Sequence, residues 1–280
     1  MSYKTILIHC NDKRRIDALL APAVRLAETF QAHLIGLSVV PPIAVMGGGV
    51  PGAPPMVVDG HCQLYRSENP AMRAAFDDAV RGRGFAAEWI DDDAGTFNVT
   101  DCVLPHARTA DLVVASQTDP EWPGSDRLDI ADRLAMESGR PVLILPNAGV
   151  REQVGQKVVV AWNGRREAAR AMFDALPLLQ RADAVKVIWI NPQSWREAAP
   201  TMPVGEVCIA LSRHGVKCEA TEEVPPSGGV GETLVRYAKD WDADLVVMGC
   251  YGHTRFRELV FGGASRYLLA HMSVPVLMSH

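Results

Sequence analysis

Short unbroken apolar runs alternate along the chain with Ala/Leu-rich stretches of helical spacing. Thr5-Ile6-Leu7-Ile8-His9 and Leu34-Ile35-Gly36-Leu37-Ser38-Val39-Val40 flank one such stretch. Lys157-Val158-Val159-Val160-Ala161 and Val185-Lys186-Val187-Ile188-Trp189-Ile190 flank another. Runs without polar alternation predict strands buried on both faces, the pattern of a parallel sheet covered by helices.

The pattern recurs. Ala110-Asp111-Leu112-Val113-Val114 matches Ala243-Asp244-Leu245-Val246-Val247, and Pro141-Val142-Leu143-Ile144-Leu145 matches Pro275-Val276-Leu277-Met278. Asp111 lies 30 residues before Pro141, and Asp244 lies 31 before Pro275. Two matches at nearly constant spacing predict an internal duplication. The expected fold class is α/β, as two tandem doubly wound sandwiches, each with a five-stranded, mostly parallel sheet. Turn residues Asn147-Ala148-Gly149-Val150 set the boundary, giving domains 1–148 and 149–280. At roughly 100–200 residues per domain, the length suits two.

The copies are unequal. Residues 41–55 hold five prolines and four glycines, including Gly47-Gly48-Gly49. Such composition predicts a long loop over 41–58 without ladder hydrogen bonds. It reads as a surface insertion, or as a lid or partner-docking loop carrying Met46, Val50, Met56, Val57 and Val58.

Composition narrows the function classes. The chain is 48% apolar and 22% charged, with a net charge of −5, which disfavours a dedicated nucleic-acid binder. No apolar run reaches the roughly 18 residues of a transmembrane helix. Met1-Ser2-Tyr3-Lys4 leads straight into a strand-like run without a signal-peptide pattern, so a cytoplasmic location is expected. Cys10, Cys62, Cys102, Cys208, Cys218 and Cys250 form no Cys-x-x-Cys pair and read as reduced thiols.

The chemistry concentrates near the end of the second copy. A buried strand runs into Gly249, with Gly252 three residues on and Gly262-Gly263-Ala264-Ser265 opening a helical stretch. Glycines let a backbone approach a ligand closely. Free amides at a helix start attract phosphate. Arg255, Arg257 and Arg266 add positive charge. In an open α/β sheet the ligand belongs beyond the carboxyl ends of the strands, where Gly249 stands.

This Gly-x2-Gly-x9-Gly spacing, with Ala243-Asp244-Leu245-Val246-Val247-Met248-Gly249 before it and Val274-Pro275-Val276-Leu277 after it, resembles the universal stress protein family. The resemblance covers the chain as two tandem copies. It implies an adenine nucleotide alpha hydrolase-like fold and a role in stress survival and signalling. Many members bind ATP through this motif, and others bind no nucleotide. Single domains of the family pair through their last strand. That implies an intrachain pseudo-dimer here through Val142–Leu145 and Val274–Met278, with a further homodimer left open. The implied nucleotide-binding residues are Ala161, Asn163, Gly249, Gly252, His253, Gly262, Gly263, Ala264 and Ser265. Two positions depart from the family pattern. Gly263 stands where a Ser or Thr is usual, and Ala161-Trp162-Asn163-Gly164-Arg165 has Asn163 for the usual Asp and Arg165 for the usual Ser.

The first copy lacks the motif. At the same offset, Gly249 falls on Ser116, Gly252 on Asp119, Gly262-Gly263 on Asp129-Ile130 and Ser265 on Asp132. Carboxylates there repel phosphate, so ATP or a related adenine nucleotide is expected in the second domain only. Ser227-Gly228-Gly229-Val230-Gly231-Glu232 reads as a loop before a helix over Glu232–Trp241, close enough to rim the same pocket. His9 with Cys10 and Cys102 with His106 are the conceivable metal-ligand pairs, too few for a structural metal to be expected. No Gly-x-Ser-x-Gly or His-Glu-x-x-His occurs, which argues against an enzyme beyond slow ATP hydrolysis. The functional expectation is a stress-response protein whose second domain senses or stores an adenine nucleotide. The alternative is a nucleotide-free scaffold working through its two-domain surface and the 41–58 loop.

Overall fold

A computed structural model describes residues 2–42, 44–46, 56–58, 60–119, 130–149, 152–190, 203–224, 229–250 and 263–280. Ten strands form one sheet. The first half contributes β1 (Thr5–His9), β2 (His33–Val40), β5 (Ala87–Asp93), β6 (Leu112–Ser116) and β7 (Val142–Leu145). The second half contributes β8 (Lys157–Trp162), β9 (Ala184–Ile190), β10 (Cys218–Glu223), β11 (Leu245–Gly249) and β12 (Val276–Ser279). The order across the sheet is β10-β9-β8-β11-β12-β7-β6-β1-β2-β5.

Each group of five is parallel within itself, as the apolar runs predicted. Every residue of β6 and β7 is buried. The two groups meet at β12 and β7, which pair antiparallel with Val276 opposite Ile144, Leu277 opposite Leu143 and Met278 opposite Val142. This pairing covers two strand edges that would otherwise expose free backbone groups. One continuous apolar core underlies both groups.

Helices cover the sheet. They are α1 (Ile16–Phe30), α2 (Gly60–Val80), α3 (Val99–Ala107), α4 (Ala131–Glu137), α5 (Arg166–Asp174), α6 (Leu176–Leu179), α7 (Val204–Ser212), α8 (Val230–Asp240) and α9 (Gly263–His271). None among the described residues is long and apolar enough to cross a membrane.

The duplicated Ala-Asp-Leu-Val-Val has a structural cause. Asp111 accepts hydrogen bonds from the Lys4 and Thr5 amides at 2.7 and 3.0 Å, tying down the start of β1. Asp244 accepts from the Gly155, Gln156 and Lys157 amides at 3.1, 2.9 and 3.0 Å, tying down the start of β8. In both halves the carboxylate satisfies amides just ahead of the first strand, where no ladder reaches them.

The loop expected over 41–58 is corrected in part. Two short strands, β3 (Ala44–Met46) and β4 (Met56–Val58), pair antiparallel, with Val45 opposite Val57. The prolines and glycines crowd the centre of the segment, and residues 47–55 lie outside the described residues. The flanks are free of proline and carry valines that favour a ladder.

Candidate functional site

In the second half the chain steps outward from β8 to β9 to β10, then returns to place β11 on the other side of β8. The strand order therefore reverses between β8 and β11, and the crevice at such a reversal is where open α/β sheets bind ligands. A cavity of about 430 Å³ lies there. Ala161, Trp162 and Asn163 enter it from the end of β8, Ile188 and Ile190 from β9, and Met248 and Gly249 from β11. The first turn of α8 supplies Val230, Gly231, Glu232 and Leu234, and the first turn of α9 supplies Gly263, Ala264, Ser265 and Tyr267.

Ala161, Asn163, Gly249, Gly263, Ala264 and Ser265, singled out from the sequence, thus line one cavity. Gly252, His253 and Gly262 lie outside the described residues, as do Arg255 and Arg257. Val230, Gly231 and Glu232 join them from the glycine-rich segment expected to rim the pocket, and Leu234, Ile188, Ile190 and Tyr267 join without having been singled out. The helix begins earlier than expected, at Val230 in place of Glu232, with Gly229 as its cap.

The glycines have distinct causes. A Cβ on Gly249 would fall on the Glu167 carbonyl carbon and the Ala168 nitrogen, and within 2.6 Å of the Glu167 carbonyl oxygen. The missing side chain therefore lets the first turn of α5 pack onto the end of β11. Gly249 is therefore required by packing whether or not a ligand approaches it. A Cβ on Gly231 would lie 2.8 Å from Tyr267 Cβ and 2.9 Å from the Ala264 carbonyl oxygen, so this glycine brings α8 against α9. Gly263 is different, because among the described residues no atom lies within 4 Å of its notional Cβ.

The polar groups are few. Asn163 Oδ1 accepts from the Arg165 amide at 3.0 Å, and Gly164 follows Asn163 with φ of +75°. Asn163 thus shapes the tight turn from β8 into α5, leaving its amide NH₂ as donor. Ser265 is buried. Trp162 Nε1 is buried and has no hydrogen-bond partner among the described residues. Among the described residues, Arg165 and Glu232 are the charged lining residues. Beneath Gly249, Glu167 is buried and paired with Arg166. Burial works to raise its pKa, but the Arg166 hydrogen bond and charge outweigh burial and hold the carboxyl below its usual range.

In the first half, hydrogen-bonded side chains occupy the matching place. Ser116 Oγ donates to Asn11 Oδ1 at 3.1 Å, and Tyr65 donates to the Cys10 carbonyl at 2.8 Å. Asp12 pairs with Arg14 at 2.9 Å, and Arg14 reaches Asp119 at 3.4 Å. Asp132 accepts from the Arg133 amide at 2.8 Å in α4, and Asp129 lies outside the described residues. Cys102 and His106 share α3, yet among the described residues no three His, Cys, Asp or Glu side chains gather to hold a metal.

Comparison with known proteins agrees with this architecture. Residues 155–280 match the model of the universal stress protein family. The chain is 27% identical over 146 residues to the universal stress protein Slr1230 of Synechocystis sp., covering 52% of this chain and 49% of that protein. It is 39% identical over 68 residues to Sll1388 of the same organism, covering 24% of this chain and 42% of that one. The chain therefore spans about half the length of the curated relatives it matches. A universal stress protein from Archaeoglobus fulgidus DSM 4304 superposes with a TM-score of 0.70 at 13% identity, over 98% of this chain and 95% of that one, a likeness of fold alone. Residues 155–280 are thus similar to the universal stress protein family.

Proposed function

We propose that the second half binds an adenine nucleotide, ATP or a close relative, and that the chain acts as a nucleotide sensor in a stress response. The observation that carries this reading is the cavity of about 430 Å³ at the strand-order reversal, floored by the β8 and β11 ends and walled by the starts of α8 and α9. Ile188, Ile190, Leu234 and Met248 form an apolar wall suited to a flat base. Gly263, Ala264 and Ser265 present a helix start whose amides and dipole suit phosphate. Asn163 offers a donor toward ribose or phosphate oxygens and lacks the carboxylate that would hold a metal. The polar first-half counterpart supports one nucleotide per chain.

Titration calorimetry of the whole chain with ATP, ADP and AMP tests the reading, together with chromatography of material released on denaturation. Saturable heat with a stoichiometry near one supports it. No heat at millimolar ligand and no released nucleotide overturn it, and favour a scaffold working without nucleotide.

A further inference from the structure

Two of the six cysteines meet. Cys208 lies on α7 and Cys218 opens β10, the edge strand of the sheet. Cys218 Sγ sits 3.8 Å from the Cys208 carbonyl oxygen, and its S–H also reaches the Cys208 thiol. Both side chains are partly exposed. The other cysteines differ. Cys10, Cys62 and Cys250 are buried, with the Cys10 and Cys250 sulfurs turned toward backbone carbonyls. Cys102 is partly exposed on α3 in the other half. The short connection from α7 to β10 turns through Gly215, at φ of +79°, and so folds the strand's first residue back against the helix.

We infer that Cys208 and Cys218 form a reversible dithiol–disulfide pair that clamps α7 to the edge strand. The oxidant is hydrogen peroxide. Burial raises both thiols, up to about 12 for Cys218, and the Cys218 S–H donated toward Cys208 offsets part of that rise at Cys208, so Cys208 is the attacking sulfur. The Cys208 thiolate bonds to one peroxide oxygen, the O–O bond breaks, and hydroxide leaves to become water. Cys208 is then a sulfenic acid. The Cys218 sulfur attacks the Cys208 sulfur and displaces that oxygen, which takes the Cys218 proton and leaves as a second water. Two thiols have lost two electrons and two protons, and one peroxide has become two waters. Both thiols begin protonated, so the reaction quickens as pH rises.

The reduced full-length chain is treated with hydrogen peroxide, unfolded in an alkylating reagent and mapped by peptide mass. One linked peptide pair joining Cys208 to Cys218 is expected, cleaved again by dithiothreitol, with the remaining cysteines alkylated. Cys208→Ser and Cys218→Ser each remove the linked pair while keeping the native circular dichroism. Amide hydrogen exchange along Cys218–Glu223 slows several-fold in the oxidised chain. Free, alkylated Cys208 and Cys218 after peroxide treatment overturn the inference. Linkage to Cys102 or between two chains does the same. A Cys208–Cys218 bond that leaves exchange along the strand unchanged overturns the clamp.

Discussion

Asp111 and Asp244 hold the same place in two halves of one chain, and each secures amides that the sheet leaves unpaired. Asp244→Ala removes three charge-assisted acceptor contacts at a buried position, so urea denaturation should report a loss of about 3 kcal/mol. His9 carries a different cost. It is fully buried, and neither ring nitrogen has a hydrogen-bond partner among the described residues. Burial lowers its pKa from 6.5 to about 4. The unfolded chain therefore binds the extra proton first as pH falls, so stability declines from about pH 6.5 down to about 4. The full effect is about 3 kcal/mol. In His9→Leu the stability difference between pH 7.5 and pH 5 should shrink relative to the parent, measured by denaturant titration at both. Gly263 tests the departure from the family pattern. Among the described residues nothing crowds its notional Cβ, so Gly263→Ser should keep the melting temperature and tighten ATP binding about tenfold in calorimetry, the worth of one hydrogen bond to a charged phosphate.

The elements explain why these glycines stand where they do. The end of β11 and the first turn of α5 touch backbone to backbone at Gly249, so Gly249→Ala must push the helix away. A loss of about 3 kcal/mol in thermal or urea unfolding is expected, with the cavity floor displaced as well. This role was not legible in the sequence, because Glu167 and Ala168 lie far from Gly249 along the chain and only the fold brings them together. The inner strands were legible, since Leu112–Ser116 and Val142–Leu145 are buried throughout and such segments need apolar runs, whereas the half-exposed edge strands Ala87–Asp93 and Cys218–Glu223 carry no such run and were not. The loop expected over 41–58 is corrected at its flanks, and its centre, residues 47–55, lies outside the described residues. Its valine-bearing flanks pair across the segment, and pairing partners are a tertiary fact. The start of α8 was misplaced by two residues because Gly229, Val230 and Gly231 read as loop, whereas Gly231 is glycine for its contact with Tyr267 and Ala264.

At the scale of the molecule, one sheet unites the halves. Tyr3 donates to the Asp174 carbonyl at 2.8 Å, and Gln117 donates to the Leu269 carbonyl at 2.6 Å, so the first half also grips helices of the second. The second contact falls on α9, the helix whose start lines the cavity. Leu143 and Leu277 face one another at the antiparallel junction, both fully buried. Leu277→Asp places an unpaired charge there, and should cost about 4 kcal/mol and split a single thermal transition into two. The outer edges are guarded by charge, with Asp91, Asp92 and Asp93 on β5 and Glu219, Glu222 and Glu223 on β10, which discourages further strand addition. The duplication was visible in the repeated motifs, but the meeting of the last strands in one sheet came from the resemblance and then from the fold. We propose that one half keeps an adenine-nucleotide site, while hydrogen-bonded side chains stand at the matching strand ends of the other. A crystal structure of the full chain grown with ATP tests it most directly. A base is expected against Ile188, Ile190 and Leu234 and phosphates at Gly263–Ser265, with nothing bound beside Asn11 and Ser116. An empty second-half cavity at saturating ATP, or nucleotide seated in the first half, would contradict it.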